Sequence, residues 1–227
     1  MNGDRYEAVG PEVEFEPGSR GRVLRNRLGI RLVRDMQQAE SDALSAVQEW
    51  AAATYDADHR FTADDICQLH SQWLGDIYPW AGEYRRVNMA KGGFRFAAAG
   101  QVARLMAELQ RNELHTETPC AGKDTKTLAG ALARVHAELI LIHPFREGNG
   151  RCARLLAWLM AMQANLPSLD FSPLAGRGKA AYISAIHASP GPKLRTDGST
   201  LCCRYRADFA FFRFGAITGC LGVAKGL

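Results

Sequence analysis

Between two apolar segments, the sequence reads His143-Pro144-Phe145-Arg146-Glu147-Gly148-Asn149-Gly150-Arg151-Cys152-Ala153-Arg154. This segment combines a histidine, an acid, two glycines around an asparagine, and two arginines three positions apart. Few structural requirements alone would select that mixture, whereas each residue type has a use where a protein binds a polyphosphate. We therefore interpret residues 143–154, which we call the signature loop, as the functional centre of the chain.

The apolar segment before the signature loop predicts a helix. Its apolar residues follow helical spacing: Leu128, Leu132, Val135, Leu139 and Ile142. Pro144 disfavours the helical conformation for the residue before it, so we expect His143 at a helix end, facing a loop. There the imidazole should be presented to solvent with its ordinary pKa of about 6.5, suited to accept a proton at neutral pH. An imidazole walled off from solvent would contradict this interpretation.

A second helix is predicted to begin just after Gly148-Asn149-Gly150. The unpaired N–H groups and the dipole of a helix start favour an anion, and glycines let the backbone approach it closely. Arg151 and Arg154 should share one face of the first turn and clamp oxygens of one polyphosphate. Glu147 is the expected ligand of a magnesium ion that accompanies the phosphates. Phe145 should anchor the loop in the core.

Taken singly, these residues have ordinary structural interpretations. A lone histidine before a proline is usually structural, and arginines near a helix start are usually solvated. The pattern G-x-G-x-x-A over residues 148–153 is weak as a dinucleotide fingerprint, because a helix and not a strand precedes it. Their combination in this order favours a phosphate site.

The signature loop resembles the signature of Fic-domain proteins, His-Pro-Phe-x-(Asp/Glu)-Gly-Asn-Gly-Arg-x-x-Arg, with every specified position filled. The resemblance implies a mainly helical fold and transfer of AMP from ATP to a hydroxyl side chain of a target protein, with release of pyrophosphate. It implies that His143 is the catalytic base and that Glu147 holds Mg²⁺. It also implies that the nucleotide is bound by Gly148, Asn149, Gly150, Arg151 and Arg154. Asn149 would hold the α-phosphate, and the two arginines the β- and γ-phosphates.

A further expectation concerns the nucleotide and the group that is transferred. Related proteins that act as kinases depart from Gly-Asn-Gly-Arg, so the intact loop favours AMP transfer over phosphorylation. UTP and GTP stay open as alternatives, because no residue identifies the base. In Fic domains a helix after the signature helps to form the base pocket, often with a tyrosine. A helix is predicted over residues 178–188, which makes Tyr182 a candidate adenine contact, with simple packing as the alternative.

Residues 78–97 change from helical spacing to aromatic residues, Pro and Gly. Gly92-Gly93 is a suitable two-residue turn between short extended arms, so the sequence predicts a β-hairpin. This block also resembles the Fic family, whose hairpin flap lies over the active site and pairs through its main chain with the segment being modified. By that resemblance, Lys91, Gly92, Gly93 and Phe94 position the target. A structural hairpin without a target role is the alternative.

The fold class predicted is all-α with a short β-hairpin flap. Helices are expected over residues 34–54, from a capping box at Thr62 to about residue 74, and over 99–115. The expected division is an irregular N-terminal arm (1–25), a Fic domain (26–190) and a C-terminal extension of unknown role (191–227). The start of the domain, Val23 to Ile30, resembles cell-filamentation-type Fic domains.

Composition sets the broad class of the protein. The chain has 227 residues, 47% of them hydrophobic, which is enough for one domain with a sizeable core. The net charge of +4 is too mild to indicate nucleic acid, and the arginine cluster over residues 20–34 is interpreted as a solvated face. The six cysteines form no C-x-x-C pair, and no secretory signal or membrane span is evident, so we expect a cytoplasmic protein with reduced thiols.

Regulation and two rival functions stay open. Many Fic proteins are restrained by a Ser/Thr-x-x-x-Glu-(Gly/Asn) helix whose glutamate pairs with the second signature arginine, here Arg154. The nearest match is Ser45 to Glu49, but Trp50 stands where Gly or Asn should follow. A separate small antitoxin protein, as in toxin–antitoxin pairs, or no such restraint is therefore favoured. The rivals are a non-catalytic protein-binding module and a nucleic-acid binder that uses the arginine cluster.

Overall fold

The computed structural model describes residues 7–9, 14–166, 169–171, 182–184, 186 and 213–214. Most of them lie in helices, which confirms the predicted fold class. The α-helices are α1 (Val33–Thr54), α2 (Ala63–Leu74), α3 (Val102–Leu109), α4 (His115–Glu117), α5 (Thr125–Ile142) and α6 (Asn149–Gln163). In the described part of the chain, no helix combines the length and apolar character needed to cross a bilayer.

The two helices that flank the signature loop form the centre of the core. Helices α5 and α6 pack against each other and are apolar around much of their circumference. Leu132 of α5 and Leu156 of α6 are completely buried. Because apolar burial is the dominant favourable contribution to folding, this pair of helices gives the loop between them a rigid base.

Helix α2 begins at the predicted capping box. The Asp65 N–H donates to the Thr62 hydroxyl oxygen at 3.1 Å, and the Thr62 N–H donates to the Asp65 carboxylate at 2.8 Å. Two amides at the helix start are therefore satisfied reciprocally. Aspartate performs the role usually taken by Glu or Gln.

The helix predicted over residues 99–115 is not regular. A 3₁₀ turn (Ala99–Gln101) leads into α3, and a π-helical turn (Gln110–Leu114) joins α3 to α4. Within this stretch, Glu113 and Glu117 are buried, and both form ion pairs with Arg134 of α5. The change of helical pitch lies where this stretch packs against α5, and apolar spacing alone reveals neither feature.

The predicted hairpin is present and belongs to a three-stranded antiparallel sheet. Its strands are β2 (Asn88–Lys91) and β3 (Phe94–Arg95), joined by Gly92 and Gly93 with φ of +55° and +80°. Two successive positive φ values are the geometry that a tight hairpin turn requires. A third strand, β1 (Glu7–Val9), pairs with β2 and was not predicted: it lies in the segment expected to be irregular, and three residues are too few to show a strand period.

The C-terminal part of the chain is described only in places. Strands β4 (Leu169–Asp170) and β5 (Arg213–Phe214) pair antiparallel. Residues 182–184 and 186 are helical, whereas the rest of the helix predicted over 178–188 and most of the predicted extension 191–227 lie outside the described residues. The predicted domain division stays a prediction.

Candidate active site

His143 caps the C-terminus of α5, at the helix end where the sequence places it. Its N–H donates to the Leu139 carbonyl at 3.0 Å, and its backbone is left-handed, with φ of +53°. A left-handed conformation commonly ends a helix, but it is strained for a residue other than glycine, at a cost of roughly 1–3 kcal/mol. The fold therefore fixes the direction in which the imidazole leaves the helix.

The tautomer of His143 follows from its hydrogen bond. Its Nδ1 lies 3.1 Å from the carbonyl oxygen of Ile140. A carbonyl oxygen only accepts, so Nδ1 carries the hydrogen and Nε2 of the neutral ring carries the lone pair. This is the tautomer needed for a base that accepts a proton at Nε2.

The expectation of a solvent-presented imidazole with an ordinary pKa is wrong. Only 3% of the His143 surface is exposed, and the ring of Phe96 stacks on the imidazole with 3.7 Å between centroids. Burial lowers the pKa of His143 to about 3, and the positive charges of Arg85 and Lys91 act in the same direction. The helix does end before Pro144, as predicted. However, Phe96, which directly follows β3 of the hairpin, covers the imidazole that the helix end would otherwise expose.

Asn149 closes the signature loop on itself. Its side-chain oxygen accepts from the Phe145 N–H and its amide donates to the Phe145 carbonyl, both at 2.8 Å. The side chain is 1% exposed. The role expected of this side chain on the α-phosphate stays a prediction: its oxygen and one amide hydrogen bind the loop backbone, and its second amide hydrogen is the one that a phosphate oxygen could accept.

His70 of α2 forms a hydrogen bond to the signature loop. The sequence indicated only a packing or surface role for this residue. The Gly82 N–H donates to its Nδ1 at 2.8 Å, so Nε2 carries the hydrogen and donates to the Glu147 carbonyl at 3.0 Å. Its ring stacks on Phe145 with 3.8 Å between centroids, and Phe145 is fully buried, as expected of an anchor. Burial lowers the pKa of His70 to about 4, which keeps this tautomer neutral.

Position 148 requires glycine for two reasons, its backbone conformation and the lack of space for a side chain. Its φ is +81°, and a Cβ atom at this position would lie 2.7 Å from the indole of Trp73. The loop therefore runs directly against the α2 side chain. Within the described part of the chain, the N–H groups of Asn149 and Gly150 make no backbone hydrogen bond, which leaves the start of α6 suited to an anion.

The two signature arginines lie in different surroundings. Arg151 forms an ion pair with the buried Glu40 of α1, with 2.8 Å between Nη1 and the carboxylate oxygen, and lies over the Trp73 ring at 4.6 Å. The guanidinium of Arg154 lies against Gly150 instead. The role of both arginines in clamping one polyphosphate stays a prediction, and the structure adds Glu40 as a negatively charged partner of Arg151. The sequence could not show this pair, since the spacing of α1 marks only its apolar stripe.

Tyr182 lies beside the second arginine. Its hydroxyl is 2.7 Å from Nε2 of the buried His136 on α5. Burial, together with the positive charge of Arg154, lowers the pKa of His136 to about 4, so the three side chains form one cluster. A role for Tyr182 in binding adenine stays a prediction.

The predicted flap residues divide into a turn and a packed part. Gly92 and Gly93 are exposed, with open space where a Cβ would stand, and Lys91 is close enough to His143 for its charge to lower the pKa of that imidazole. Phe94 packs edge-on against Phe96, with 5.4 Å between centroids. A contact of these residues with a target stays a prediction.

Glu147 is the one carboxylate of the signature loop. Its Oε1 accepts from the Gly148 N–H at 3.0 Å and lies 3.8 Å from the Arg151 guanidinium. Among the residues that the structure describes, no cluster of three His, Cys, Asp or Glu side chains is placed to hold a metal. A single carboxylate fits Mg²⁺, which proteins commonly bind through one or two carboxylates together with substrate phosphates.

The candidate inhibitory glutamate does not reach the site. Glu49 is exposed on α1 and forms no ion pair among the described residues, whereas Glu40, on the same helix, reaches Arg151. Within the described residues, the weak match to the inhibitory pattern is therefore not accompanied by an ion pair between Glu49 and a signature arginine.

Comparison with known proteins points to one family. A model of the Fic/DOC family matches residues 60–161. Protein adenylyltransferase VbhT of Bartonella schoenbuchensis is 30% identical over 142 residues, which cover 63% of this chain and 29% of that protein. The probable protein adenylyltransferase Fic of Salmonella typhimurium is 30% identical over 145 residues, which cover 63% of this chain and 69% of that protein. The chain thus spans less than a third of the first relative's length.

Solved structures show the same fold. The N-terminal Fic domain of a Bartonella effector protein from Bartonella sp. AR 15-3 has a TM-score of 0.65 at 19% identity, covering 91% of this chain and 93% of that one. The BepC protein of Bartonella tribocorum, determined with bound AMPPNP, has a TM-score of 0.60 at 21% identity, covering 74% of this chain and 86% of that one.

Proposed function

Because the chain belongs to the Fic/DOC family, we propose that it is a protein adenylyltransferase, which transfers AMP from ATP to a hydroxyl side chain of a target protein. Membership rests on the 30% identical Salmonella relative, of which the chain covers 69%. The observation that carries the activity is the tautomer of His143, whose Nδ1–H bond to Ile140 leaves the lone pair on Nε2.

The reaction uses His143 as the base. Nε2 takes the proton of the target hydroxyl as that oxygen forms a bond to the α-phosphorus. The bond from the α-phosphorus to the bridging oxygen breaks, and pyrophosphate leaves with the electron pair. The lowered pKa keeps the ring neutral at physiological pH, and the negative charge of a bound triphosphate would stabilise the imidazolium that forms.

The phosphates would bind at the start of α6. The N–H groups of Asn149 and Gly150 offer donors, and the helix dipole favours their negative charge. Arg151 and Arg154 would bind the β- and γ-phosphates, and the ion pair of Arg151 with Glu40 would also hold the loop against α1. Glu147 would hold Mg²⁺ together with the phosphates, and the ion would neutralise part of their charge.

The target would approach along the flap. An extended segment can add to the edge of a sheet through main-chain hydrogen bonds, which demands little of its sequence. Since His143 is 3% exposed beneath Phe96, the hydroxyl reaches Nε2 only after Phe96 shifts. We include a small antitoxin protein as a proposed second partner, because Trp50 departs from the inhibitory pattern and Glu49 is exposed, with no ion pair in the described part of the chain.

The test is a labelling experiment with the purified chain. It is incubated with Mg²⁺ and α-labelled ATP, UTP or GTP in a cell lysate, and labelled proteins are separated and counted. We expect label from ATP, lost in His143→Ala but kept in His115→Ala, a control at an exposed histidine. Binding of AMPPNP should survive in His143→Ala. Transfer that persists in His143→Ala would overturn the assignment of the base, and label from UTP or GTP alone would change the nucleotide.

A further inference from the structure

Arg85 occupies the junction between the flap and the end of α5. It is 3% exposed, although it is a charged side chain. Its guanidinium donates to four backbone carbonyls: those of His143 at 2.6 Å, Val87 at 2.6 Å, Ala97 at 2.5 Å and Ile142 at 3.2 Å. The backbone N–H of Arg85 donates to the Pro144 carbonyl at 2.8 Å.

The acceptors explain how a buried cation is tolerated. Among the residues that the structure describes, no carboxylate pairs with Arg85. Ile142 and His143 instead present carbonyls at the C-terminal end of α5, where the helix dipole is negative and the last carbonyls lack helical partners. Burial lowers the pKa of Arg85 to about 10, so the group stays charged at neutral pH.

The same acceptors connect two parts of the site. Val87 immediately precedes β2, and Ala97 lies just after β3, so the guanidinium binds both bases of the hairpin. Its other two bonds hold the helix end at which His143 takes its left-handed conformation. Phe96, which stacks on the imidazole, lies directly beside one of these anchored bases.

We propose that Arg85 is a positioning residue that couples the flap to His143, so that a target segment on the hairpin and the imidazole keep a fixed relation. This inference rests on the proposed function for its consequence in catalysis, although the coupling itself is a property of the fold. A guanidinium suits the role because its planar fork donates in several fixed directions, whereas a lysine ammonium is a point charge on a flexible stem.

The test compares Arg85→Gln and Arg85→Lys with the same substitutions at Arg86, whose side chain is 79% exposed and lies 3.7 Å from Glu83. In the Arg85 variants we expect AMP transfer per folded molecule to fall about 100-fold, as a misplacement near 1 Å can cause. AMPPNP affinity should change less than about twofold, because the start of α6 is untouched; the Arg86 variants should match the parent.

A second measurement does not depend on catalysis. The ring current of Phe96 should displace the His143 imidazole resonances in NMR spectra of the parent chain, and hydrogen exchange should protect the flap amides. Both the displacement of the His143 resonances and the protection of the flap amides should decrease in Arg85→Lys. This variant is sufficient for the test if Arg85→Gln does not fold. His143 resonances that stay at the parent position in a folded Arg85 variant would overturn the coupling. A loss of AMP transfer no larger than the loss of folded protein would also overturn it. If the parent transfers no AMP, the proposed function fails while the NMR comparison still decides the coupling.

Discussion

The signature loop and the flap meet at His143, but they are held in opposite ways. In the loop, Asn149 binds the backbone of Phe145, and Gly148 lies against Trp73, so packed groups fix it on several sides. The flap is fixed at its two bases by Arg85, and its turn projects into open space at Gly93. On the proposed function, this difference would give a preformed site for phosphates beside a surface that can adapt to different targets.

The largest expected effect is acid sensitivity, which involves both regions. The pKa values of His70, His136 and His143 are lowered by burial to about 4, 4 and 3. The unfolded chain takes up protons near pH 6.5 while the folded one does not, so stability is full above pH 6.5 and is lost as pH falls toward the folded pKa values. Between pH 6.5 and 5, each histidine should cost roughly 2 kcal/mol of unfolding free energy.

Urea unfolding at pH 7 and pH 5 measures this loss. Phe96→Ala should abolish the part of this pH-dependent loss that comes from His143, because the flap buries that imidazole. The parts that come from His70 and His136 should stay. An equal pH dependence in the variant and the parent would show that the flap does not bury the imidazole in solution.

A pair of glycines tests the contrast in packing. Gly148 and Gly93 have nearly the same φ, +81° and +80°, but only Gly148 has a neighbour, Trp73, where a Cβ would stand. Gly148→Ala should lower the unfolding free energy by about 3 kcal/mol, from backbone strain and overpacking together. Gly93→Ala should cost about 1 kcal/mol from strain alone. Similar losses in urea unfolding would mean that Trp73 yields and the loop is less rigid than the structure indicates.

The sequence allowed local features to be predicted, because short-range chemistry determines them. The capping box at Thr62, the turn at Gly92-Gly93 and the helix end before Pro144 each depend on residues within a few positions of one another. The burial of His143 and the partner of Arg151 depend on residues far away in the chain. Neither follows from spacing, since tertiary packing alone brings those residues together.

The ion pair of Arg151 gives the next smaller effect and tests whether this arginine is structural. Glu40→Gln keeps the shape of the side chain but removes the charge opposite Arg151, at 2.8 Å. We expect a loss of about 2 kcal/mol, because one partner of a mostly buried pair is left behind. Glu49→Gln, at an exposed site on the same helix, should change stability by less than about 0.5 kcal/mol. Equal effects of the two substitutions on the urea midpoint would leave Arg151 without a structural role.

The smallest expected change in unfolding free energy comes from a substitution at Phe96, next to the flap. Phe96→Leu keeps an apolar side chain but loses the stacked contact with His143, which should cost about 1 kcal/mol of unfolding free energy. Because a leucine covers the imidazole less completely, the pKa of His143 should rise from about 3 toward its ordinary value, and an NMR titration of the ring measures this directly. Phe15→Leu, at an exposed aromatic, is the matched control and should leave that pKa unchanged. A pKa that stays near 3 in Phe96→Leu would assign the burial of His143 to the rigid helices α5 and α6, and the flap would then cover the base without controlling it.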